Sequence, residues 1–418
     1  MSSAKVLSGF GRTILVVAAA LTLLVPTLSS QGKAPRYQVQ ALWPHPFTNQ
    51  SWVLGSITGV TVDSQNHIWV VHRGGDSLEN NEKGMMLTPP SASLCCTAAP
   101  FVLEFDQAGN LLSSWGGPGQ GYQWPQSPGG LAVDAKGNVW ITGAGIDAAP
   151  ARGRGPNDPT AAEQPAAGGR RGAAAAAPPA PGDAHVIKFS RDGKFLLQIG
   201  TPGKMEGPDS QTTLNRPSAV AFDAAANEVF VADSGNRRIV VFDADSGKYK
   251  RHWFAYGEKA AGPAPAPYNA GEPASKSFRD VTCVDIARDG NVYVCDRSSN
   301  RIQVFQKNGT FVKEAIVSKN TLGATVTGQF GVVSSYGSAW DIAFSNDAQQ
   351  RYLFIADGHN KKVHIFQRDT LTEVGAFGSG GRYPGQFLAV GSIATDAQGN
   401  IYTGEQHHGK RVQKFVSK

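Results

Sequence analysis

Charge is scarce in this sequence: Asp, Glu, Lys and Arg make up 17% of its 418 residues. The net charge of +6 is spread along the chain, apart from one cluster at Arg152, Arg154, Arg170 and Arg171. Basic and aromatic residues nowhere interleave, so no nucleic-acid partner is expected. The four cysteines form no CxxC or CxxCH, which leaves no zinc ribbon and no c-type haem attachment. GxSxG, a P-loop and a paired-carboxylate motif are also missing, and with them the usual signs of nucleophilic hydrolysis and phosphate chemistry. The apolar run from Ile14 to Val25 is short of the ~20 residues a bilayer span needs. Lys5 and Arg12 precede it and Thr27-Leu28-Ser29-Ser30 follow, so residues 1–30 read as a signal peptide, with an uncleaved N-terminal anchor as the alternative. No cysteine follows the run to carry a lipid. The expected location is secreted or periplasmic, with membrane contact only if the segment is uncleaved, and four cysteines suit such an oxidising compartment.

What the chain does have is glycine (49), proline (25) and an internal repeat. The stretch from Val220 to Phe242 reads as apolar strand, polar turn, second strand with an aromatic, Asp-centred loop and third strand ending in Phe. Aligned copies place Trp69, Trp140, Phe230, Tyr293, Phe354 and Tyr402 at one position. His72, Gly143, Asp233, Asp296, Asp357 and Glu405 lie three residues beyond. The third strands close on Phe105, Phe189, Phe242, Phe305, Phe366 and Phe415, and Phe230–Phe242, Tyr293–Phe305 and Phe354–Phe366 are each 12 residues apart. Period-2 alternation in units this short makes four-stranded sheets that cannot bury their own faces, so the copies must stack. Six copies predict an all-β, six-bladed propeller over residues 36–416.

The last copy ends after its third strand. An open sheet edge is a liability, so the alternating stretch Arg36–Trp43 is expected to supply the missing outermost strand of the last blade and close the ring. The long excursions, Gly74–Pro100, Gly143–Ala184, Glu258–Ser277 and Ser318–Gly337, fall after second strands or between blades. In an up-and-down blade those two kinds of connection share one face, where binding loops on a rigid scaffold are expected. Residues 146–184, rich in Ala, Pro, Gly and Arg, are expected to be disordered.

That face should carry the ligand-binding rim: His72, Asp233, Arg237, Asp296, Arg297, Trp340, Asp357, His359 and Glu405. The repeated set Asp…Asn-Arg or Asn-Lys (Asp233, Asn236-Arg237; Asp296, Asn300-Arg301; Asp357, Asn360-Lys361) also fits a role in ordering the loops. His359, Glu405, His407 and His408 are the candidate metal ligands, with Ca or Zn as the ion and no cofactor required. Cys283 and Cys295 flank the turn Arg288-Asp289-Gly290 in register for a cross-strand disulfide. Adjacent Cys95 and Cys96 are open to pairing with each other, pairing elsewhere or remaining reduced.

The turns and the segments VADSGNRRIVVF, VCDRSSNRIQVF and IADGHNKKVHIF resemble NHL repeats. Within that type, Gly59–Gly74 (GVTVDSQNHIWVVHRG) is similar to the first blade of the peptidyl-α-hydroxyglycine α-amidating lyases. That resemblance implies a channel-mouth zinc with a catalytic Arg, which falls on Arg73. The family's three zinc histidines fall on Gly129, Val281 and Gly391, its Tyr within Ser234-Gly235 and its calcium-binding Asp on Ser392, none of which matches in residue type. The reading is therefore an exported NHL propeller that binds a peptide, carbohydrate or protein ligand on its loop-rich face. One alternative is a metal-dependent enzyme similar to peptidylamidoglycolate lyase or a lactonase. The other is a cell-envelope scaffold attached through the vicinal cysteines and the Ala/Pro insert.

Overall fold

A computed structural model describes Met1 and residues 34–144, 182–323, 326–328, 331–333 and 335–418. The expected signal segment and nearly all of the Ala/Pro/Gly/Arg insert lie outside the described residues. Within the unit Ala34–Lys418 each repeat folds into one four-stranded antiparallel sheet in up-and-down order.

Blade 1 is Ile57–Val62, Ile68–His72, Val102–Phe105 and Leu111–Trp115. Blade 2 is Pro128–Val133, Val139–Gly143, His185–Phe189 and Phe195–Gly200, and blade 3 is Pro217–Asp223, Glu228–Asp233, Arg238–Asp243 and Tyr249–Trp253. Blade 4 is Val281–Ile286, Val292–Asp296, Arg301–Phe305 and Phe311–Ile316. Blade 5 is Asp341–Phe344, Tyr352–Asp357, Lys362–Gln367 and Thr372–Phe377. Blade 6 takes Val390–Thr395, Ile401–Glu405 and Val412–Ser417 from the end of the chain and Tyr37–Gln40 from near its start. The molecule is a six-bladed β-propeller.

Tyr37–Gln40 runs antiparallel to Val412–Ser417, with Tyr37 opposite Ser417 and Gln40 opposite Lys414. The strand is also anchored by its rings. Tyr37 packs edge-on to Phe354 at 5.6 Å between centroids, and Trp43 packs on Tyr402 at 4.9 Å and Phe105 at 5.9 Å. The N-terminal segment thus joins blade 5 to blade 6 and blade 6 to blade 1.

The second strand of every blade is buried on both faces, because each sheet is covered by a neighbour on either side. Phe230 and Ile239 of blade 3 pack with Val284 and Phe305 of blade 4, while Val231 and Phe242 pack toward Trp140 of blade 2. Burying a large side chain in this way contributes roughly 1.5–3 kcal/mol, but only with the neighbour in place.

The hairpins away from the loop-rich face are tight, from four residues (224–227) to seven (345–351). Gly309 shows why glycine recurs in them. Its φ is +89°, and a Cβ there would stand 2.9 Å from the Trp253 ring of the preceding blade. The excursion Gly74–Pro100 carries a short helix, Asn80–Lys83, and Thr97–Ala98, which pairs in parallel with Trp52–Val53.

Candidate functional site

The residue three beyond each repeated aromatic points into the blade and not onto the channel wall. Asp233, Asp296, Asp357 and Glu405 are all 0% exposed. Asp233 accepts the Asn215 N–H (2.7 Å) and the Asn236 side chain (2.8 Å), and pairs with Arg238 Nε at 2.8 Å. Asp296 accepts the N–H groups of Arg279 and Asp280, each at 2.9 Å, and pairs with Arg301. Glu405 accepts Leu388 N–H at 2.6 Å and binds Arg411. Each carboxylate ties the end of a second strand to the segment leading into the first strand of its own blade. A charge taken out of water in this way persists only because it is paired and hydrogen-bonded.

Blade 5 uses the same acid with a different partner. Asp357 accepts the N–H groups of His359 and Asn360 and faces His364 Nε2 at 3.1 Å, while His364 Nδ1 faces Glu373 at 2.8 Å. Burial alone would lower the His364 pKa, but the two carboxylates raise it above the ordinary value.

In blade 1 the equivalent residue is His72. Its Nδ1 accepts the N–H groups of Gly55 (3.0 Å) and Gly74 (3.1 Å), and its Nε2 donates to Pro100 O (2.8 Å). Burial pushes its pKa down to about 4, so the ring is neutral and does the carboxylate's work without charge. In blade 2 that position is Gly143, and Asp183 instead accepts the N–H groups of Gln126 (2.9 Å) and Ser127 (2.8 Å).

These contacts correct the expected rim. His72, Asp233, Asp296, Asp357 and Glu405 are internal ties, screened from any ligand by the strands they hold. The paired base in blade 3 is Arg238 and not Arg237, because Arg237 adopts the left-handed backbone (φ +57°) and donates outward to Pro263 O at 3.2 Å. Likewise Asn300 binds Thr321 O (2.6 Å) and Ser338 N–H (2.9 Å) instead of Asp296.

Arg73, Arg297, Trp340, His359, His407 and His408 do line the central channel, a cavity of about 1250 Å3. At its loop-bearing mouth the Arg297 guanidinium lies 5.2 Å from the Tyr336 ring centroid and 4.8 Å from that of Trp340. Asp280 holds that guanidinium through Nε (2.9 Å) and Nη2 (2.6 Å), and accepts the Ser234 hydroxyl at 2.9 Å. Burial would raise the Asp280 carboxyl, but Arg297 and Ser234 hold it below the ordinary carboxylate value. His407 stacks on Tyr336 at 5.8 Å and 18°, and meets the Trp340 edge at 6.2 Å.

Lys361, singled out with Asn360 as the base of the blade 5 loop, lines this mouth, and so do Arg216, Tyr336 and Arg382, which the repeat did not mark. They stand in segments leading into or out of inner strands, so their offset from the aromatic position varies from blade to blade. Further down, Asp285 and Asp341 line the channel from the inner strands of blades 4 and 5. Burial pushes both up to about 7. Asp285 accepts Ile286 N–H (2.7 Å), and Asp341 accepts those of Ile342 and Ile393 (2.9 Å each). The sequence reading missed both; a carboxylate within an otherwise mostly apolar inner strand is the signal by which it could have found them.

The four candidate metal ligands are not gathered. Glu405 is committed to Arg411, His407 to the aromatic stack, and His408 Nδ1 lies 3.7 Å from Glu79. Among the described residues the one set of three donors with metal-like spacing is Asp63, His67 and Glu104, near the opposite end. Arg191 already sits among them, with Nη1 2.9 Å from Asp63 and Nη2 2.7 Å from His67 and in contact with Glu104. Gly129 and Gly391 line the channel and Val281 is buried beside it, so the positions that would carry zinc histidines offer no imidazole. The donor set does not fit that zinc.

Cys283 and Cys295 are opposed in register, Cα atoms 4.9 Å apart, and joined as a disulfide. Cys95 and Cys96 stand joined to each other in the Gly74–Pro100 loop.

The sequence pattern of the NHL repeat matches residues 214–242 and 278–305. The chain is similar to the peptidylglycine alpha-amidating monooxygenase of Rattus norvegicus, 25% identical over 265 residues. That match takes in 62% of this chain and 22% of the relative, so the chain spans about a fifth of that protein's length. It is also similar to NHL repeat-containing protein 3 of Mus musculus (24% over 337 residues, 78% of this chain and 65% of that one). Protein brain tumor of Drosophila melanogaster is 29% identical over 135 residues, which is 32% of this chain and 11% of the relative. Among solved structures, a virginiamycin B lyase from Staphylococcus aureus aligns with a TM-score of 0.46 at 12% identity, covering 91% of this chain and 99% of that one.

Proposed function

The chain is a six-bladed β-propeller built of NHL repeats, and we propose that it is a binding protein whose ligand seats at the loop-bearing mouth of the channel. The observation that carries this is the Tyr336–Arg297–Trp340 stack, a rigid group on the wall of an open cavity. Aromatic and Arg side chains fixed in place lose little rotamer freedom on binding, which is why such groups dominate recognition sites. In this reading the chain is exported, secreted or periplasmic, as the 1–30 segment suggests and as two joined cysteine pairs allow.

The enzyme reading is the weaker one, because the candidate ligands are spent on structural contacts. Immobilised chain exposed to a secreted or periplasmic extract of its source should retain a partner that the Tyr336→Ala/His407→Ala variant loses while keeping the wild-type melting curve. Equal retention by the variant would remove the mouth from the binding reading.

A further inference from the structure

We infer that the ligand of the mouth is an acidic polypeptide segment, an inference that rests on the binding role just proposed and names its ligand class. Five of the six blades place a cation on the channel wall at the loop-bearing end. Arg73 follows the second strand of blade 1, Arg216 leads into blade 3, and Arg297 follows the second strand of blade 4. Lys361 lies in the blade 5 loop, and Arg382 leads into blade 6.

Among the described residues the acid lining that end is Asp280, and it is committed to Arg297 and Ser234. The opposite end is lined by the uncharged Ser64, Asn66, Ala135, Asn346, Gln350 and Ala397 and by Asp63, whose carboxylate is paired with Arg191 at 2.9 Å. The sign of the mouth is therefore a property of one face and not of the whole chain.

Three features narrow the ligand further. The cations are distributed around a ring and do not converge on one point, which suits several carboxylates spaced along a chain better than one small anion. Lys361 is fixed by two neutral acceptors, Gly358 O at 3.0 Å and His359 O at 3.1 Å, so its ammonium stays at the wall. Tyr336 is covered by Arg297 and by the stacked His407, which leaves its faces closed to a nucleobase and favours peptide over single-stranded nucleic acid. Below the mouth the channel wall presents Asp285 and Asp341 and, among the described residues, no further Lys or Arg, so the segment lies across the rim and does not thread the channel.

The test uses the full chain with a fluorescent oligoglutamate peptide, an oligolysine peptide of equal length and an oligothymidylate as probes, read by anisotropy. Oligoglutamate should bind, weakening about tenfold or more between about 50 and about 200 mM salt as screening shortens the reach of the charges. Arg382→Glu and Arg73→Glu should each weaken it about tenfold with the fold retained by circular dichroism. Binding of oligolysine or oligothymidylate as tight as that of oligoglutamate overturns the inference, and so does unchanged affinity in both variants. If oligoglutamate fails but the extract partner is still lost in Tyr336→Ala/His407→Ala, the binding role stands and the acidic class alone falls.

Discussion

Asp285 and Asp341 are the side chains in the channel whose protonation the fold alters most plainly. Each sits on an inner strand with backbone N–H donors and, among the described residues, no cation bonded to it, and burial pushes both up to about 7. The direction of the pH effect follows. Above about pH 4 the unfolded chain has released protons that the folded channel keeps until about 7, so these two groups make stability fall as pH rises through that window. Asp285 accepts through a single oxygen, which an amide can replace. Asp285→Asn should therefore stabilise the protein by about 1–2 kcal/mol at pH 8, read from the denaturant midpoint, and give no gain at pH 4. His72 acts in the opposite sense. With its pKa depressed to about 4, it favours the folded chain near neutrality and ceases to do so as acid protonates the imidazole.

At single positions the sequence told type better than role. The recurrence of Asp233, Asp296, Asp357 and Glu405 was plain, and recurrence pointed to loop ordering. Which base each acid takes was not readable. Arg237 and Arg238 are adjacent, and only the left-handed backbone at Arg237 decides which one turns inward.

Among the elements, the blade was the most readable unit, because its alternation, its turn glycines and its closing Phe each follow from being covered on both sides. The Cys283–Cys295 link also followed from hairpin register. It closes a loop of 12 residues between the two innermost strands of blade 4. Cys283→Ala/Cys295→Ala should cost about 2–3 kcal/mol, the range for loops of this size, and calorimetry should show it as a lower melting temperature with the fold retained. The mouth was far less readable than the blade. Tyr336 and Arg382 lie in inter-blade links whose lengths differ, and a repeat alignment is blind there. Only the ring geometry brings those links to the same wall as Arg73 and Arg297.

For the molecule as a whole, stability is a matter of neighbours, and closure is what gives the first and last blades theirs. Val39 pairs with Phe415 and packs among the side chains between blades 5 and 6. Lys418 N–H reaches Arg36 O at 2.8 Å, so the alternation of the ladder turns the Gln38 N–H toward Val416; Gln38→Pro removes that bond and should cost about 1–3 kcal/mol, with a broadened unfolding transition as the outer blades loosen first. An unchanged, single sharp transition would show that the ring holds without the strand.

The same strand sets a condition on how the protein is made. Tyr37 must wait for Ser417, so a folding chain can assemble blade after blade but cannot finish the circle until the strand Val412–Ser417 is available. Until then both flanks of the open arc stay exposed and able to capture one another on separate chains, which makes the interval before closure the time when a chaperone would matter most.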